Sequence, residues 1–385
     1  MLTNNSLTLF SAFVVSIVNA TFVYNNTRLN PKSVLRRNAL VHPRCSPWMR
    51  LLNNADEGSF LEITGFNFQG FRSLVSCVAT EDERLRIQRR GRPPLLDVHS
   101  RVGLYVLYVG STMKAKHLAL IFGILPNSVT PTIITMSRRI VKALKNHPAA
   151  EIRFPSIEEI RELCDMVRHR EPMIDDVFGF LDGLALPVQC SPEEDEQNAF
   201  YNGYYCDTMV NNIFLFAPTG KIIYAVFNCP GSWHDSSVAE PLKQLVLELD
   251  LMYKICVDQG FPRSGAFADK FVGPLSKAAR RSLSPILRSI ILQLHNKYVS
   301  LRQGSEWGMR GLQGTFSRLK ARLTSNKTKR YLIIKSILLL SNFRIHYSGL
   351  NQIATVFNYH YEQYINIFGY DRIARYYDHH LNYED

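Results

Sequence analysis

The chain has 385 residues, a length that allows two domains, or three at most, at about 150 residues each. Hydrophobic residues make up 46% of the sequence and charged residues 20%, so a large packed core can form and wholesale disorder is excluded. Lysine and arginine (45) outnumber aspartate and glutamate (33), which gives a net charge of +12.

This charge is unevenly distributed along the chain. Residues 1–150 contain 19 basic and 7 acidic residues, residues 151–250 contain 6 and 18, residues 251–350 contain 18 and 3, and residues 351–385 contain 2 and 5. Two basic blocks therefore flank an acidic one. Basic blocks of this size favour a polyanionic partner such as nucleic acid, although solvated helical faces would give the same composition.

The seven cysteines include no C-x-x-C pair, which argues against a disulfide framework and a zinc ribbon and favours a reducing compartment. Residues 7–18 form a short apolar stretch followed by Asn19-Ala20, so that residues 7–20 are like a secretory signal peptide, but the lysine or arginine that usually precedes such a stretch is missing. We expect a nuclear location, and secretion is the alternative that the signal-like residues leave open. No run of 18 apolar residues occurs elsewhere, so we expect no membrane span.

We divide the chain into three parts. Residues 1–48 are predicted to be a poorly structured lead-in, residues 49–150 a helical region and residues 151–385 a mixed α/β domain with C-terminal helices. A charge run over 82–94 ends in glycine and proline, as at a helix end followed by a loop. It contains Arg-Gly-Arg-Pro at 90–93, a basic sequence of the kind that can enter an A·T-rich minor groove, although a helix stop explains it equally.

The helical region carries a pattern typical of a helix-turn-helix motif. Apolar residues at helical spacing cover 102–109 and 115–122, Gly123 ends the second helix, and a third helix follows and runs to residue 144. In such motifs the early residues of the last helix face the major groove. The residues predicted to face DNA are Asn127, Ser128, Thr130 and Thr132, with Arg138, Arg139, Lys142 and Lys145 further along. An ordinary helical hairpin with a solvated basic end has the same pattern.

The hydrophobic period changes after this region. Ser156 and Glu159 form a capping box at the start of an amphipathic helix that is predicted to end at residue 170. The elements predicted next are a buried strand at 177–181, a hairpin of 212–217 and 221–228, a helix at 235–249 and a second buried strand at 253–257. Helical pattern dominates from residue 283 onward, and this order predicts a mixed α/β domain.

Two aspartates, Asp182 and Asp258, directly follow the two predicted buried strands, and a glycine follows each within two residues. If the strands are parallel neighbours, their carboxyl ends meet at one edge of the sheet and bring the two carboxylates together. Glu306 is the only acidic residue in 301–350. It shares a helical face with Arg302, four residues earlier, so a surface ion pair is the simple alternative to a functional role.

Together, two strand-end aspartates and one helical glutamate are typical of a site for two Mg²⁺ (or Mn²⁺) ions, which take oxygen ligands. Two such ions about 4 Å apart activate a water or a 3′-hydroxyl and stabilise the leaving oxygen of a phosphodiester. Asp235 is a competing metal ligand, although its place before a helical run also makes it a natural N-cap. Arg302 could steer a phosphate or simply pair with Glu306.

Five ordered segments carry a resemblance to a known family. They are VFGFLDGLALPVQ, QNAFYNGYY, NNIFLFAPTGKIIYAVFNCPGSWHDSSV, YKICVDQGFPRSG and YVSLRQGSEWGMRGLQGTFSRLK. In this order they resemble the PIF/Harbinger transposases, and most of all the branch common in fungal genomes. The helix-turn-helix region and the later GLNQIATVFNYHY resemble the same family, and the separation of Asp258 from Glu306 fits its spacing.

The resemblance implies an RNase H-like catalytic fold and a DDE triad, which falls on Asp182, Asp258 and Glu306. It implies cut-and-paste transposition of DNA, or a derived nuclease, acting on transposon terminal repeats and target DNA. A Myb-like accessory DNA-binding protein and a homo-oligomer are the further partners that it suggests. It also leaves open whether Tyr201-Asn202-Gly203 is only a turn or lines the site.

Two positions depart from the family pattern. Gln313 stands where wider DDE enzymes carry a lysine, and Ala185 stands where many relatives carry a polar residue. Neither removes a metal ligand. A domesticated protein that keeps the fold and binds DNA without catalysis is therefore the alternative function.

Overall fold

A computed structural model describes residues 35–86, 94–174, 176–250, 252–261, 263 and 265–357. The basic sequence at 90–93, the signal-like residues 7–20 and the last four residues of GLNQIATVFNYHY lie outside this part of the chain. The described part contains fourteen α-helices and one six-stranded sheet. All seven cysteines are free.

Six helices form the region before residue 151 and pack through apolar side chains. They are Pro47–Asn54 (α1), Glu57–Thr64 (α2), Phe68–Arg86 (α3), Val98–Gly110 (α4), Ala115–Phe122 (α5) and Pro126–Leu144 (α6). The prediction for α4 to α6 is correct to within a few residues. Two short 3₁₀ turns, Arg37–Ala39 and Pro43–Cys45, occupy the described end of the predicted lead-in.

The turn between α5 and α6 is tight. The two helix axes meet at 93°. Gly123 ends α5 with φ +67°, and a Cβ on this residue would lie 2.4 Å from the Val41 carbonyl oxygen, so only glycine fits. No single helix in the described ranges is long and apolar enough to cross a membrane, and α5 with α6 meets the criteria only as a bent pair.

Six strands form one mixed sheet. They are Val177–Pro187 (β1), Tyr201–Asn202 (β2), Asp207–Phe216 (β3), Ile222–Pro230 (β4), Lys254–Val257 (β5) and Phe271–Val272 (β6). The order is β4-β3-β1-β5-β6, and the two-residue β2 pairs antiparallel with the start of β3. β3 runs antiparallel to β1 and β4, whereas β5 is parallel to β1 and β6 is parallel to β5.

Eight helices belong to the sheet-bearing part of the chain. They are Ile157–Arg170 (α7), Glu194–Phe200 (α8), Asp235–Val238 (α9), Glu240–Leu247 (α10), Lys277–Arg281 (α11), Arg288–Thr315 (α12), Lys327–Ser348 (α13) and Gln352–Phe357 (α14). The predicted capping box of Ser156 and Glu159 begins α7. The helix predicted over 235–249 is two helices, because Pro241 stands in the first turn of α10 and starts a new helix there.

The predicted end of β1 is wrong. The strand does not stop at residue 181 but continues to Pro187, because β3 pairs with it from Phe180 opposite Phe216 to Pro187 opposite Met209. Only the pairing with β5 stops at Leu181. Asp182 is therefore the first residue of β1 whose β5 side is open.

The sheet has a helical layer on each face. Phe180, Phe214 and Phe216 belong to a core that also contains α12 residues such as Leu301 and Leu312. Phe178, Leu181, Ile213 and Leu215 belong to a second core with residues of α7 and α10. Since side chains alternate along a strand, Asp182 shares the face of Phe180 and points toward α12.

Candidate active site

Asp182 and Asp258 follow matched positions on neighbouring parallel strands. The last paired residues of β1 and β5 are Leu181 and Val257. Each aspartate is the next residue along its strand. The parallel pairing that the sequence pattern required is present, and it brings the two residues to one edge of the sheet.

Asp182 is half-buried and hydrogen-bonded. The Gly183 N–H donates to Oδ1 at 2.9 Å, and the Ser305 hydroxyl of α12 lies 3.2 Å from Oδ2. Burial raises the pKa of Asp182 to about 6, and the charge of Asp258 adds to this, whereas the two hydrogen bonds and Arg302 lower it. The carboxylate is thus fixed in orientation but costs free energy to ionise.

Arg302 of α12 lies between the other two members of the predicted triad. Its Nη1 is 3.6 Å from Asp258 Oδ1, and its Nη2 pairs with Glu306 Oε1 one helical turn later. The predicted Arg302–Glu306 pair is therefore present, and the guanidinium extends it to Asp258. One cation links a strand end to the helix.

Asp235 lies on the opposite side of β1 from α12. A Cβ on Gly183 would lie 2.5 Å from Asp235 Oδ2, so the carboxylate packs directly against the glycine backbone. Burial raises the pKa of Asp235, His234 lowers it and Asp258 raises it further. The N-cap prediction is wrong by one residue: the N-cap of α9 is His234, and its side chain makes no capping hydrogen bond.

The donor chemistry of the site fits a divalent cation of the Mg²⁺ class. Asp182, Asp258 and Glu306 offer carboxylate oxygens, which such ions prefer. In the described ranges no three His, Cys, Asp or Glu side chains stand close enough together to hold one ion. Around Asp258 and Glu306 the positive charge comes from Arg302 instead.

The residues predicted to face DNA from α6 have different exposures. Asn127, Ser128, Thr130 and Arg138 are all exposed. Arg139 is only 8% exposed and belongs to the interior. The prediction that Arg139 faces DNA is therefore unsupported by its position, and the open face of α6 starts at its first turn and includes Arg138.

Ser305 is a site residue that the sequence pattern did not single out. It is 1% exposed, and its hydroxyl also lies 2.9 Å from the Arg302 carbonyl oxygen, so it can donate there or to Asp182. Its position one residue before Glu306 was the only signal in the sequence. A helical serine carries no pattern that distinguishes such a contact from a solvated one.

A comparison with models of known protein families gives a match that covers most of the sheet and the helix α12. Residues 181–342 match the family model described as DDE superfamily endonuclease. The matched segment includes Asp182, Asp258 and Glu306, and its mixed α/β structure is consistent with a nuclease domain of that kind. No curated protein and no solved structure matches the chain significantly.

Proposed function

We propose that this protein is a transposon-encoded or transposon-derived DDE endonuclease that cuts DNA phosphodiesters with divalent metal ions. The observation that carries the proposal is the pairing of Asp258 and Glu306 with Arg302, with Asp182 held by Ser305 on the same helix, inside the segment that matches the endonuclease family. Asp182 and Asp258 come from matched strand ends, and Glu306 comes from the helix packed over them.

In the proposed mechanism Asp182, Asp258 and Glu306 would hold two divalent ions, with Asp235 as a further candidate ligand. A divalent ion there would polarise the scissile phosphodiester and lower the pKa of a water or 3′-hydroxyl. The chain itself supplies orientation. Gly183 and Ser305 fix the Asp182 carboxylate, and Arg302 provides a guanidinium that can exchange its carboxylate partners for a phosphate oxygen.

The finer family assignment, a PIF/Harbinger transposase of the fungal branch with an RNase H-like domain, is part of the same proposal. It is supported by the five matching sequence segments and by a sheet of three antiparallel strands continued by two parallel ones. We assign Mg²⁺ or Mn²⁺ as cofactor and DNA as substrate, including terminal repeats and target.

We further propose that α5 and α6 form a helix-turn-helix motif that binds DNA. Their 93° crossing lies in the range of such motifs, and Asn127, Ser128, Thr130 and Arg138 lie on the open part of α6. Arg139 is left out of this surface because it is buried. A nuclear location, a Myb-like accessory protein and a homo-oligomer complete the proposal, and secretion is its alternative.

The test is cleavage of linear DNA that carries the inverted repeats flanking the genomic locus, with Mg²⁺ or Mn²⁺. We expect cleavage by the wild type and background cleavage by Asp258→Asn and Glu306→Gln, because each loses a charged metal ligand. Asp207→Asn is the matched control, since this carboxylate pairs with Arg322 away from the triad. Absence of wild-type cleavage with both ions, or equal cleavage by Asp258→Asn, would contradict the proposal.

A domesticated DNA-binding protein without catalysis is the second candidate. The observation that favours it is Arg302, which already neutralises two of the three carboxylates. It predicts salt-sensitive DNA binding that Asp182→Asn leaves unchanged, with no cleavage by any variant. Cleavage and the salt dependence of DNA binding, measured on the same proteins with Asp182→Asn added, therefore separate the two functions.

A further inference from the structure

A cavity of about 400 Å³ opens beside β1, one residue beyond Asp182. One wall is the strand itself at Gly183 and Ala185, and the other walls are the segments 202–205 and 231–235. Its volume is in the lower part of the range for small-ligand pockets. Asp235, which packs on Gly183, also lines the cavity.

Three large aromatic rings stand at this cavity. Tyr204 is 88% exposed, Tyr205 53% and Trp233 49%, although rings of this size normally contribute to a core. Among the described residues that line the cavity there is no lysine or arginine. The cavity thus offers ring faces and hydrogen-bonding groups to a flat polar molecule, and no positive charge to a phosphate.

The tyrosine segment is held in place by one side chain. Asn202 Oδ1 accepts hydrogen bonds from the Tyr204 N–H at 3.0 Å and from the Tyr205 N–H at 3.3 Å. Its Nδ2 donates to the Gly231 carbonyl oxygen at 2.7 Å. Asn202 therefore ties the segment that bears the two tyrosines to the segment that bears the tryptophan.

The tryptophan segment is fixed in the same way. Asn211 of β3 is 6% exposed, and its Nδ2 donates to the Trp233 carbonyl oxygen at 2.6 Å. A Cβ on Gly231 would lie 2.4 Å from the Met209 carbonyl oxygen, so the segment lies directly on β3. The backbone of the segments that carry the exposed rings is thus held by hydrogen bonds, so less conformational entropy is lost when a ligand binds.

We propose that this cavity binds one unpaired nucleobase of the DNA substrate by stacking on Trp233 and Tyr204. Every base has a π-face, so such stacking is tolerant of sequence, and enzymes that act on DNA ends or single bases often need an unstacked nucleotide. The inference rests on the proposed function for its ligand, because the cavity is lined by Gly183, the residue after Asp182, and by Asp235. A base held here would anchor the strand whose backbone passes the carboxylates.

The test measures binding by the full-length protein in EDTA, so that cleavage plays no part. Two DNAs are compared: a fully paired duplex and the same duplex with a single unpaired 2-aminopurine at one end. We expect the wild type to bind the second about tenfold more tightly and to quench its fluorescence by stacking. Trp233→Ala and Tyr204→Ala should lose the preference and the quenching but keep their affinity for the paired duplex.

Two further variants control the experiment. Trp233→Phe keeps a ring and should retain most of the preference, which separates stacking from loss of structure. Tyr331→Ala removes a tyrosine that is 43% exposed on α13, outside the cavity, and should behave as the wild type. Equal wild-type affinities for the two DNAs, or quenching that survives in both alanine variants, would overturn the inference.

Failure of this inference is distinguishable from failure of the proposed function. Asp258→Asn should lose cleavage and keep the preference for the unpaired base, because Asp258 does not line the cavity. A wild type that shows the preference but never cleaves leaves the inference standing and removes the endonuclease. A wild type that cleaves DNA but shows no preference for the unpaired base removes the inference and leaves the endonuclease function standing.

Discussion

Asp182 should make the stability of the metal-free protein depend on pH. Burial raises the pKa of Asp182 to about 6, whereas an unfolded aspartate titrates near ~3.9. The folded chain holds this proton more tightly, so the linked stability is complete below about pH 4 and is lost as the pH rises through about 6. We expect Asp182→Asn to raise the free energy of unfolding by about 1–3 kcal/mol at pH 8 and little at pH 4. Urea denaturation in EDTA at both pH values measures this.

Asp207→Asn is the control of opposite sign. Two hydrogen bonds of 2.8 Å from Arg322 lower the pKa of Asp207, so its contribution is present above the unfolded pKa and is lost as the pH falls. Its replacement should therefore cost stability at pH 8. If Asp182→Asn gives no gain at pH 8, the carboxylate is not held in the destabilised state that its burial indicates.

Arg302 should stabilise the metal-free protein more than the metal-loaded one. Its guanidinium opposes the charges of Asp258 and Glu306, and Arg302→Gln leaves them without that cation. Because the pairs are partly exposed, we expect a loss of about 1 kcal/mol in EDTA, seen as a Tm lower by about 2 °C. Millimolar Mg²⁺ or Ca²⁺ should shrink the difference, since the ion supplies the missing charge.

Arg310→Gln on the same helix is the matched control for Arg302→Gln. Arg310 is exposed two turns further along α12, so its replacement should give the same small change with and without the divalent ion. A loss in Arg302→Gln that the ion leaves unchanged would mean that Arg302 and the metal do not share a position.

Residue patterns predicted part of this site. Asp182 and Asp258 could be placed because an aspartate and a glycine after a buried run indicate a strand end, and Arg302 with Glu306 because four residues make one helical turn. The contact of Ser305 with Asp182 could not be predicted, since it depends on which face of α12 meets the sheet. No local pattern carries that information.

At the scale of elements, two glycines set how closely α12 approaches the sheet. A Cβ on Gly304 would lie 2.9 Å from the Phe180 ring, and one on Gly308 would lie 2.8 Å from the Phe216 ring. The close packing of α12, which carries Arg302 and Glu306, therefore depends on the absence of side chains at these two positions. We expect Gly304→Ala and Gly308→Ala each to cost about 1–3 kcal/mol of unfolding free energy and to reduce cleavage, because α12 must move outward.

The same helix offers its own controls. A Cβ on Gly311 or on Gly314 would have no heavy atom of the described residues within 4 Å, apart from the helix's own backbone and chain neighbours. Alanine at either position should therefore stabilise α12 by up to about 1 kcal/mol through helix propensity alone. Thermal melting of the four alanine variants checks both signs, and a stabilising Gly308→Ala would contradict the close packing.

The element predictions are correct where local signals agree with tertiary pairing. Gly123 and Pro126 bound the turn between α5 and α6, and Pro218-Thr219-Gly220 closes the hairpin of β3 and β4. The end of β1 could not be predicted because Gly183-Leu184-Ala185 has weak strand character, and only the partner strand β3 keeps it extended. Strand length in a sheet is set by the neighbour as much as by the sequence.

At the scale of the whole molecule, α13 joins the N-terminal helices to the sheet. Its residues Ile337, Leu338, Leu339 and Leu340 are buried in one core with residues of α1 to α6 and the sheet, so it is apolar on every side there. Asn342 also donates to the carbonyl oxygens of Glu151, in the segment between α6 and α7, at 3.2 Å and of Ile222 in β4 at 2.9 Å. The region predicted as DNA-binding and the proposed active site therefore share one packed helix.

This shared core should make the two parts unfold together. We expect one cooperative transition by calorimetry for the full chain, and we expect Leu338→Ala to lower its midpoint by weakening both sides at once, at a cost of about 2–5 kcal/mol. A chain starting at residue 151 should melt without cooperativity, because it exposes the side of α13 that α3 and α6 cover. Two separate transitions in the full chain would contradict this.

The proposed DNA-binding surface should therefore be located with point variants such as Arg138→Gln, and not by deleting the N-terminal helices. Each such variant should weaken DNA binding at low salt and leave the unfolding transition of the full chain unchanged.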